Sequence, residues 1–165
     1  MKTESYKNQI NKLLNMVKRV SGDIIEIGTY DGDTSEIICR HIQENNLDKK
    51  FYGLDTFKGY LSEDMTGAND ASIHNYKTKR WDTNLEIVTE RLSFLDPNKF
   101  ELIEGDSKEI IPDYVTKQKF NNFSLIYVDC NLYPPSVKAM RDLYPLLEVG
   151  GIISIDEHIA GGETK

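Results

Sequence analysis

Residues 24–34 of this 165-residue chain read Ile24-Ile25-Glu26-Ile27-Gly28-Thr29-Tyr30-Asp31-Gly32-Asp33-Thr34. A short apolar run leads into a loop with two glycines, and a helical pattern follows at once. This order predicts the strand–loop–helix unit with which nucleotide-binding folds begin. Gly28 lets the backbone approach a ligand closely, and Gly32 permits the turn into the helix. An ordinary acidic turn with two turn glycines is the alternative, so other features must decide.

The charges on this loop indicate what kind of ligand it binds. Glu26, Asp31 and Asp33 crowd the turn, and no Lys or Arg occurs between Arg19 and Arg40. Carboxylates repel a pyrophosphate and attract a cation, which disfavours NAD. S-adenosylmethionine carries an adenosine, a sulfonium and an α-ammonium but no phosphate, so it suits this loop better. The N-terminus of the following helix is the expected site for its carboxylate.

Composition and charge narrow the class of protein. A chain of 165 residues is long enough for one domain with a buried core. The net charge of −7 and the pI near 5.0 argue against nucleic acid as a partner. Cys39 and Cys130 show neither disulfide nor zinc spacing, as is usual in the cytoplasm. The polar start and the lack of a long apolar run predict a cytoplasmic protein that does not bind membranes.

Short apolar runs alternate with helical patterns along the chain. Apolar residues at i, i+3, i+4 and i+7 predict an amphipathic helix over residues 5–20, and this helix is a candidate contributor to a homo-oligomer interface. Thr83, three residues before Glu86, is the expected cap of one later helix. The alternation predicts an α/β domain over residues 1–165, doubly wound with a mostly parallel, Rossmann-like sheet. Its strands are expected at 23–28, 51–55, 99–104, 123–129 and 151–156, and its helices at 33–46, 83–95, 107–118 and 135–147.

A polar stretch over residues 57–82 separates the second strand from its helix. It contains Gly59, Gly67 and Asn69 and shows little periodicity. Loops of this length in compact domains are usually functional lids or disordered segments. We interpret the stretch as a lid over the ligand, with a floppy insertion as the alternative.

Four segments carry a resemblance to a known family: Glu26–Gly32, Tyr52–Gly59, Val128–Tyr133 and Leu143–Gly151. Together they resemble a class I S-adenosylmethionine-dependent methyltransferase and, more narrowly, the macrocin O-methyltransferase family. The resemblance covers roughly residues 22–160. Members usually continue with two further strands and a helix, so we expect a sheet that lacks the last two strands.

Acidic residues at the ends of predicted strands are candidates for cofactor binding, because ligands of such sheets lie outside the carboxyl ends of the strands. Asp55 closes the second strand and could accept both ribose hydroxyls, as the resemblance also implies; a turn or helix cap is the alternative. The resemblance further implies that Asp106 contacts the adenine amino group and that Ser107 lies beside the ring, although Asp106 would serve equally as a helix N-cap. The candidate cofactor-binding residues are Glu26, Gly28, Thr29, Tyr30, Gly32, Thr34, Asp55, Thr56, Asp106, Ser107 and Asp129.

Asp129, Asp156 and Glu157 form a second acidic group, at the ends of the fourth and fifth predicted strands. Close carboxylates repel one another unless protons or a cation neutralise them, and oxygen ligands suit Mg²⁺ or another divalent cation. The resemblance implies such an ion, orienting the hydroxyls of the methyl acceptor. Ligand binding by these acids without a metal is the alternative. The family commonly has Asp-Gly-Asp where this chain has Asp129-Cys130-Asn131, and Asp-Asp where it has Asp156-Glu157.

Methyl transfer from a sulfonium depends chiefly on alignment and on exclusion of water. A general base would assist, and the candidate catalytic residues are Asp129, His74 in the expected lid and His158 after the acidic pair. Each histidine could instead be an ordinary polar residue.

The sequence therefore predicts an S-adenosylmethionine-dependent O-methyltransferase that acts, with Mg²⁺, on a hydroxyl of a sugar or natural-product small molecule. One alternative is a non-catalytic or truncated S-adenosylmethionine-binding protein, since an uncovered fifth strand would leave a sheet edge exposed. A less favoured alternative is an NAD-type oxidoreductase, which would need a third loop glycine where this chain has Thr34 or Ser35.

Overall fold

Five parallel strands form one sheet in the part of the chain that the computed structural model describes, residues 2–65 and 83–156. The spatial order is β3-β2-β1-β4-β5, so the order reverses beside β1 and places the topological switch point between β1 and β4. The predicted doubly wound, parallel α/β fold is confirmed. The strands are β1 (Asp23–Ile27), β2 (Phe51–Asp55), β3 (Phe100–Glu104), β4 (Phe123–Val128) and β5 (Leu147–Ile155).

Five α-helices of the described residues flank this sheet. Local capping explains several of their starts: the side chain of Thr3 accepts a hydrogen bond from the Tyr6 N–H, and prolines occupy the first turn of α5. None of these helices is long and apolar enough to span a membrane. They are α1 (Glu4–Val17), α2 (Asp33–Glu44), α3 (Leu85–Arg91), α4 (Ser107–Thr116) and α5 (Tyr133–Leu143).

The core lies on both faces of the sheet. Ile24 packs with α1 and α2 on one face, and its neighbour Ile25 packs with α4 and α5 on the other. Every residue of β1 and β4 is buried, which explains why these two strands read as nearly continuous apolar runs. Burying one such isoleucine contributes roughly 1.5–3 kcal/mol. The central strands therefore hold the switch point in place.

The ends of four helices differ from the predicted bounds. The first helix ends at Val17 rather than at residue 20, α2 ends at Glu44 and α4 at Thr116. The third spans Leu85–Arg91 instead of 83–95, and its cap is Asn84, whose side chain accepts the Glu86 N–H at 2.7 Å. Thr83 was therefore the wrong cap, because the neighbouring amide side chain takes the same N–H group.

The boundary between α5 and β5 also differs from the prediction of a helix to residue 147 and a strand from 151. The helix ends at Leu143, since Pro145 lacks an N–H group and its ring clashes with the preceding turn. The strand already begins at Leu147, which pairs with Phe123, and the register then shifts so that Leu125 pairs with Ile152. Gly150 adopts a φ of +88° inside this irregular stretch. A bulge of this kind is not visible as alternation in the sequence.

Hydrogen bonds continue the parallel ladder one residue past the strand ends. The Gly28 N–H donates to the Leu54 carbonyl at 2.8 Å, the Asp129 N–H to Ile27 at 2.8 Å, and the Asp156 N–H to Val128 at 2.8 Å. A Cβ on Gly28 would lie 2.3 Å from the carbonyl oxygen of Asp129. The loops after β1, β2, β4 and β5 are therefore held in register at one edge of the sheet.

Alanine at Gly28 should cost much more stability than alanine at Gly150. Both glycines have a similar φ, +94° and +88°, so both variants bear a left-handed backbone cost of about 1–2 kcal/mol. At Gly28 the new Cβ also meets backbone, which adds about 1–3 kcal/mol, whereas at Gly150 the nearest atom is 3.6 Å away. Urea unfolding of Gly28→Ala and Gly150→Ala measures the difference. Equal losses would contradict the close approach of the two loops.

Candidate functional site

A crevice of about 220 Å³ opens at the carboxyl edge of the sheet, between the loops that follow β1, β2, β3, β4 and β5. Its described lining contains six carboxylate side chains and one basic side chain, Lys2. The lining acids follow different strands, yet the parallel sheet brings all of them to one edge. They are Asp31, Asp55, Asp64, Asp106, Asp129 and Asp156.

Asp55 joins two of the loops around the crevice. Its Oδ2 accepts the backbone N–H of Tyr30 at 2.8 Å, and its Oδ1 accepts that of Phe57 at 2.8 Å. Both donors have left-handed backbones, with φ of +47° and +51°, a conformation that side-chain-bearing residues rarely adopt. Burial raises the pKa of Asp55, and the two N–H groups partly offset that rise. Asp55 therefore closes a turn, as one of the two interpretations of the sequence expected, and it also lines the crevice.

Asp106 likewise combines two placements. It is the N-cap of α4, where its Oδ1 accepts the Lys108 N–H at 2.9 Å, and it also lines the crevice beside Ser107. The Lys108 ammonium lies 3.3 Å from Asp106 Oδ2 and pairs with Asp64, which is only 5% exposed. Asp64 belongs to the short 3-10 turn Ser62–Asp64. Lys108 thus fastens the first part of the expected lid to α4.

The rest of the expected lid, residues 66–82, lies outside the described residues, and His74 lies there with it. The described part, residues 57–65, lines the crevice with Gly59, Tyr60 and Leu61. The hydroxyl of Thr56 donates to the Gly59 carbonyl at 2.6 Å and so tightens the turn out of β2.

Glu26 does not line the crevice. It is 1% exposed and lies behind the loop, where the Ser35 hydroxyl donates to its Oε2 at 2.5 Å. Its Oε1 has no hydrogen-bond partner among the described residues. Burial raises the pKa of Glu26 to about 8, because a buried carboxylate loses its hydration. The side chain is thus held as a neutral acid near neutral pH.

The remaining loop acids surround the start of α2. Asp31 Oδ1 accepts the Asp33 N–H at 3.1 Å, while Asp33 Oδ2 accepts the backbone N–H of Lys2 at 3.0 Å. Arg91 of α3 pairs with the other oxygen of Asp33. Burial alone would raise the pKa of Asp33, but the nearby hydrogen bonds and positive charges, those of Arg91 first among them, together outweigh burial and the pKa falls below its usual value. The cations that the loop lacks in sequence therefore come from distant segments.

A cluster of hydroxyl groups connects α1 to the second acidic group. The Tyr6 hydroxyl donates to Asp156 Oδ2 at 2.9 Å and lies 2.7 Å from the Tyr127 hydroxyl and 3.1 Å from that of Thr34. Burial raises the pKa of Tyr6 and keeps it protonated. Asp129 lies beside Lys2, with 3.6 Å between its Oδ2 and the lysine Nζ.

The structure brings most of the predicted site residues together. Gly32 stands apart as the N-cap of α2 with a φ of +80°, while Glu157 and His158 lie outside the described residues. Among the described residues no group of three or more acidic, histidine or cysteine side chains is arranged to hold a metal ion. The predicted site residues that line the crevice are Gly28, Thr29, Tyr30, Thr34, Asp55, Thr56, Asp106, Ser107, Asp129 and Asp156.

Sequence reasoning missed Lys2, Tyr6 and Arg91. Tyr6 had a usable signal, because it extends the apolar stripe of α1 one turn ahead of Ile10 and all the buried residues of that helix share this face. Lys2 and Arg91 had none, since each lies far along the chain from the carboxylate it meets.

Residues 25–158 match the model of a methyltransferase domain family, and the chain belongs to that family. The parallel sheet and the position of the crevice agree with the class I, Rossmann-like methyltransferase fold. No curated protein sequence matches the chain.

Solved structures with the same fold include methyltransferases, some of which are named for natural-product pathways. The calicheamicin methyltransferase CalS11 has a TM-score of 0.73 at 21% identity, over 92% of this chain and 63% of its own length. The O-methyltransferase NovP has a TM-score of 0.79 at 20% identity, over 92% and 64%. MycE, from the mycinamycin biosynthetic pathway and in complex with Mg and SAH, has a TM-score of 0.54 at 13% identity, over 95% and 33%. This chain therefore spans less than two thirds of these proteins.

Replacing Glu26 by glutamine should change the dependence of stability on pH. Between its ordinary pKa of 4.5 and about 8, folded Glu26 keeps a proton that the unfolded chain has lost, so the wild type loses stability as pH rises through this window. Glu26→Gln preserves the neutral shape and removes that loss. Its stability relative to wild type should rise between about pH 5.5 and about pH 8.5 in urea unfolding.

Glu90→Gln, an exposed change on α3, is the control and should show no such trend. A constant difference between Glu26→Gln and wild type across the two pH values would mean that Glu26 is already ionised in the folded protein.

Proposed function

We propose that this chain binds S-adenosylmethionine in the crevice and transfers its methyl group to a hydroxyl of a small molecule. The observation that carries the proposal is the convergence of six carboxylates, with a single basic side chain among the described lining, at the switch point of a methyltransferase fold. Such a crevice repels phosphates and attracts a sulfonium and an ammonium. Its acidic character therefore favours S-adenosylmethionine over NAD.

Asp55 would bind the ribose. Each of its oxygens already accepts one backbone N–H, at 2.8 Å, and a carboxylate oxygen has a second lone pair. Because those bonds fix the carboxylate, it could accept the two ribose hydroxyls without losing further conformational freedom. Asp106 and Ser107 would adjoin the adenine at the start of α4, and Lys108 keeps that end of the crevice closed against Asp64.

The loop from Gly28 to Thr34, together with Asp129 after β4, would hold the amino-acid end of S-adenosylmethionine. When bound, S-adenosylmethionine supplies a methyl group that its sulfonium already activates. The residues of this chain would bind and orient the cofactor and the acceptor and would exclude water from them. These are the main contributions that such a transfer needs. We also propose Asp129 as the side chain nearest to proton transfer from the acceptor, with His74 and His158 as the other candidate bases.

The acceptor would be a hydroxyl of a sugar or natural-product scaffold. The names of CalS11, a TDP-rhamnose 3'-O-methyltransferase, and of MycE, from the mycinamycin biosynthetic pathway, support this substrate class, and the name of the O-methyltransferase NovP supports transfer to oxygen. We further propose that residues 1–165 form one methyltransferase domain, with residues 57–82 as a lid. Since the chain spans less than two thirds of CalS11 and NovP, an S-adenosylmethionine-binding protein without its own transfer activity is the second candidate.

A divalent cation would bind at Asp129 and Asp156. Both carboxylates line the crevice, and Mg²⁺ usually takes one or two carboxylates and keeps several waters, so this pair fits Mg²⁺ better than Ca²⁺, which needs more protein ligands. Glu157 is the third proposed ligand. The Mg in the MycE complex supports the proposal. When bound, the ion would orient acceptor hydroxyls and favour their deprotonation.

The ribose assignment predicts a coupling between Asp55 and the ligand's 2′-hydroxyl. We expect Asp55→Asn to weaken binding of S-adenosylhomocysteine about tenfold or more, as loss of a charged hydrogen bond does. In calorimetric titrations, the 2′-deoxy analogue should bind wild type more weakly than S-adenosylhomocysteine does, but the two ligands should bind Asp55→Asn nearly alike.

Asp48→Asn is the matched control, because Asp48 is fully exposed and pairs only with Lys99 on the surface among the contacts described. If Asp55→Asn still preferred the 2′-hydroxyl as strongly as wild type does, Asp55 would be a loop organiser and not the ribose ligand. No binding of S-adenosylhomocysteine by wild type would overturn the cofactor proposal itself.

Terbium luminescence tests the metal site independently of activity. Tyr6 donates to Asp156 at 2.9 Å, so excitation of this tyrosine should sensitise Tb³⁺ bound there. We expect a signal that Mg²⁺ competes away and that Asp156→Asn removes, with Asp142→Asn on α5 as the control. A signal that survives Asp156→Asn, or none in wild type, would contradict a cation site at these residues.

A further inference from the structure

Lys2 is the single basic side chain among the described residues that line the crevice. Its ammonium lies 3.6 Å from Asp129 Oδ2 and 4.3 Å from the centre of the Tyr6 ring. Its backbone N–H donates to Asp33 Oδ2 at 3.0 Å, which fixes the segment ahead of α1 against the start of α2. The side chain lines the crevice and is 35% exposed, so the ammonium remains accessible there.

S-adenosylmethionine carries one carboxylate, and that group needs a positive partner. The sequence suggested the N-terminus of α2, but this end is already surrounded by acids. Asp31 accepts the Asp33 N–H, and Asp33 itself lies in the first turn. Two carboxylates there oppose a third, even though the helix dipole favours an anion. Among the described lining, Lys2 is left as the group with the right charge.

We propose that Lys2 binds the α-carboxylate of the cofactor and that Asp129 binds the neighbouring α-ammonium, an inference that rests on the proposed function. An ammonium and a carboxylate 3.6 Å apart form a dipole, and the zwitterionic end of an amino acid is its complement. Binding exchanges one partly exposed ion pair for two. The N-terminal segment thereby becomes part of the cofactor site and selects ligands that have an intact amino-acid end.

Two ligands separate this role from a merely structural one. S-adenosylhomocysteine has the amino-acid end, whereas 5′-methylthioadenosine has the same adenosine and thioether without it. We expect Lys2→Met to weaken binding of S-adenosylhomocysteine about tenfold, the low end for a charged hydrogen bond at a partly exposed site, and to change binding of 5′-methylthioadenosine less than about twofold. Lys2→Arg keeps the charge and should restore most of the affinity.

Lys12→Met, at an exposed position on α1, the helix that follows Lys2, is the matched control and should bind both ligands as wild type does. Equal weakening of both ligands by Lys2→Met would overturn the proposal, since it would show that Lys2 only holds the crevice together. Unchanged binding of both would overturn it as well. Absence of S-adenosylhomocysteine binding in wild type would instead reject the proposed function, so the two failures are distinguishable.

Discussion

The close approach of the loops after β1 and β4 is the constraint on which the rest of the site depends. The ladder extends past both strands, from Asp129 to Ile27 and from Gly28 to Leu54, and leaves no space for a side chain at Gly28. This contact forms the floor of the crevice at the switch point. Left-handed residues then turn the chain sharply away: Tyr30 after β1, Phe57 after β2 and Asn131 after β4. The energetic cost of these conformations is offset by the buried sheet below and by the bonds that Asp55 accepts.

The second constraint is electrostatic. Six carboxylates at one edge of a sheet repel one another, and the fold relieves the repulsion in three ways. Basic side chains from distant segments pair with some of the acids, as Lys108 does with Asp64. The Tyr6 hydroxyl donates to Asp156. The third way concerns a seventh acid, Glu26, which does not line the crevice: burial keeps it protonated behind the loop, so it adds no negative charge beside the six. A ligand with two positive groups would complete this compensation, which is the physical reason for proposing S-adenosylmethionine.

Local patterns were enough to predict the parallel sheet and the acids that face its carboxyl edge. Each acid follows an apolar run, and a parallel sheet brings all such ends together, so Asp55, Asp106 and Asp129 could be placed from sequence alone. The same reasoning put Glu26 in the ligand site. It failed there because burial depends on how the side chain turns beneath the loop towards Ser35, which the spacing of residues does not reveal.

Long-range contacts account for most of the features that could not be predicted from the sequence. Lys2 meets Asp129, and Arg91 meets Asp33, across separations that no local pattern encodes. The early start of β5 has a different cause, because its bulge breaks the alternation on which strand prediction relies. These elements adjust the charge and the shape of the crevice without changing the fold, so the class of protein could be inferred although the details of its site could not.

The proposed function requires that the acidic crevice select a cationic, phosphate-free adenosine ligand. Parallel calorimetric titrations of the wild-type chain with S-adenosylmethionine and with NAD⁺ test it most directly. We expect saturable binding of S-adenosylmethionine that weakens as salt concentration rises, and no measurable binding of NAD⁺. Binding of NAD⁺ in the absence of S-adenosylmethionine binding would contradict it.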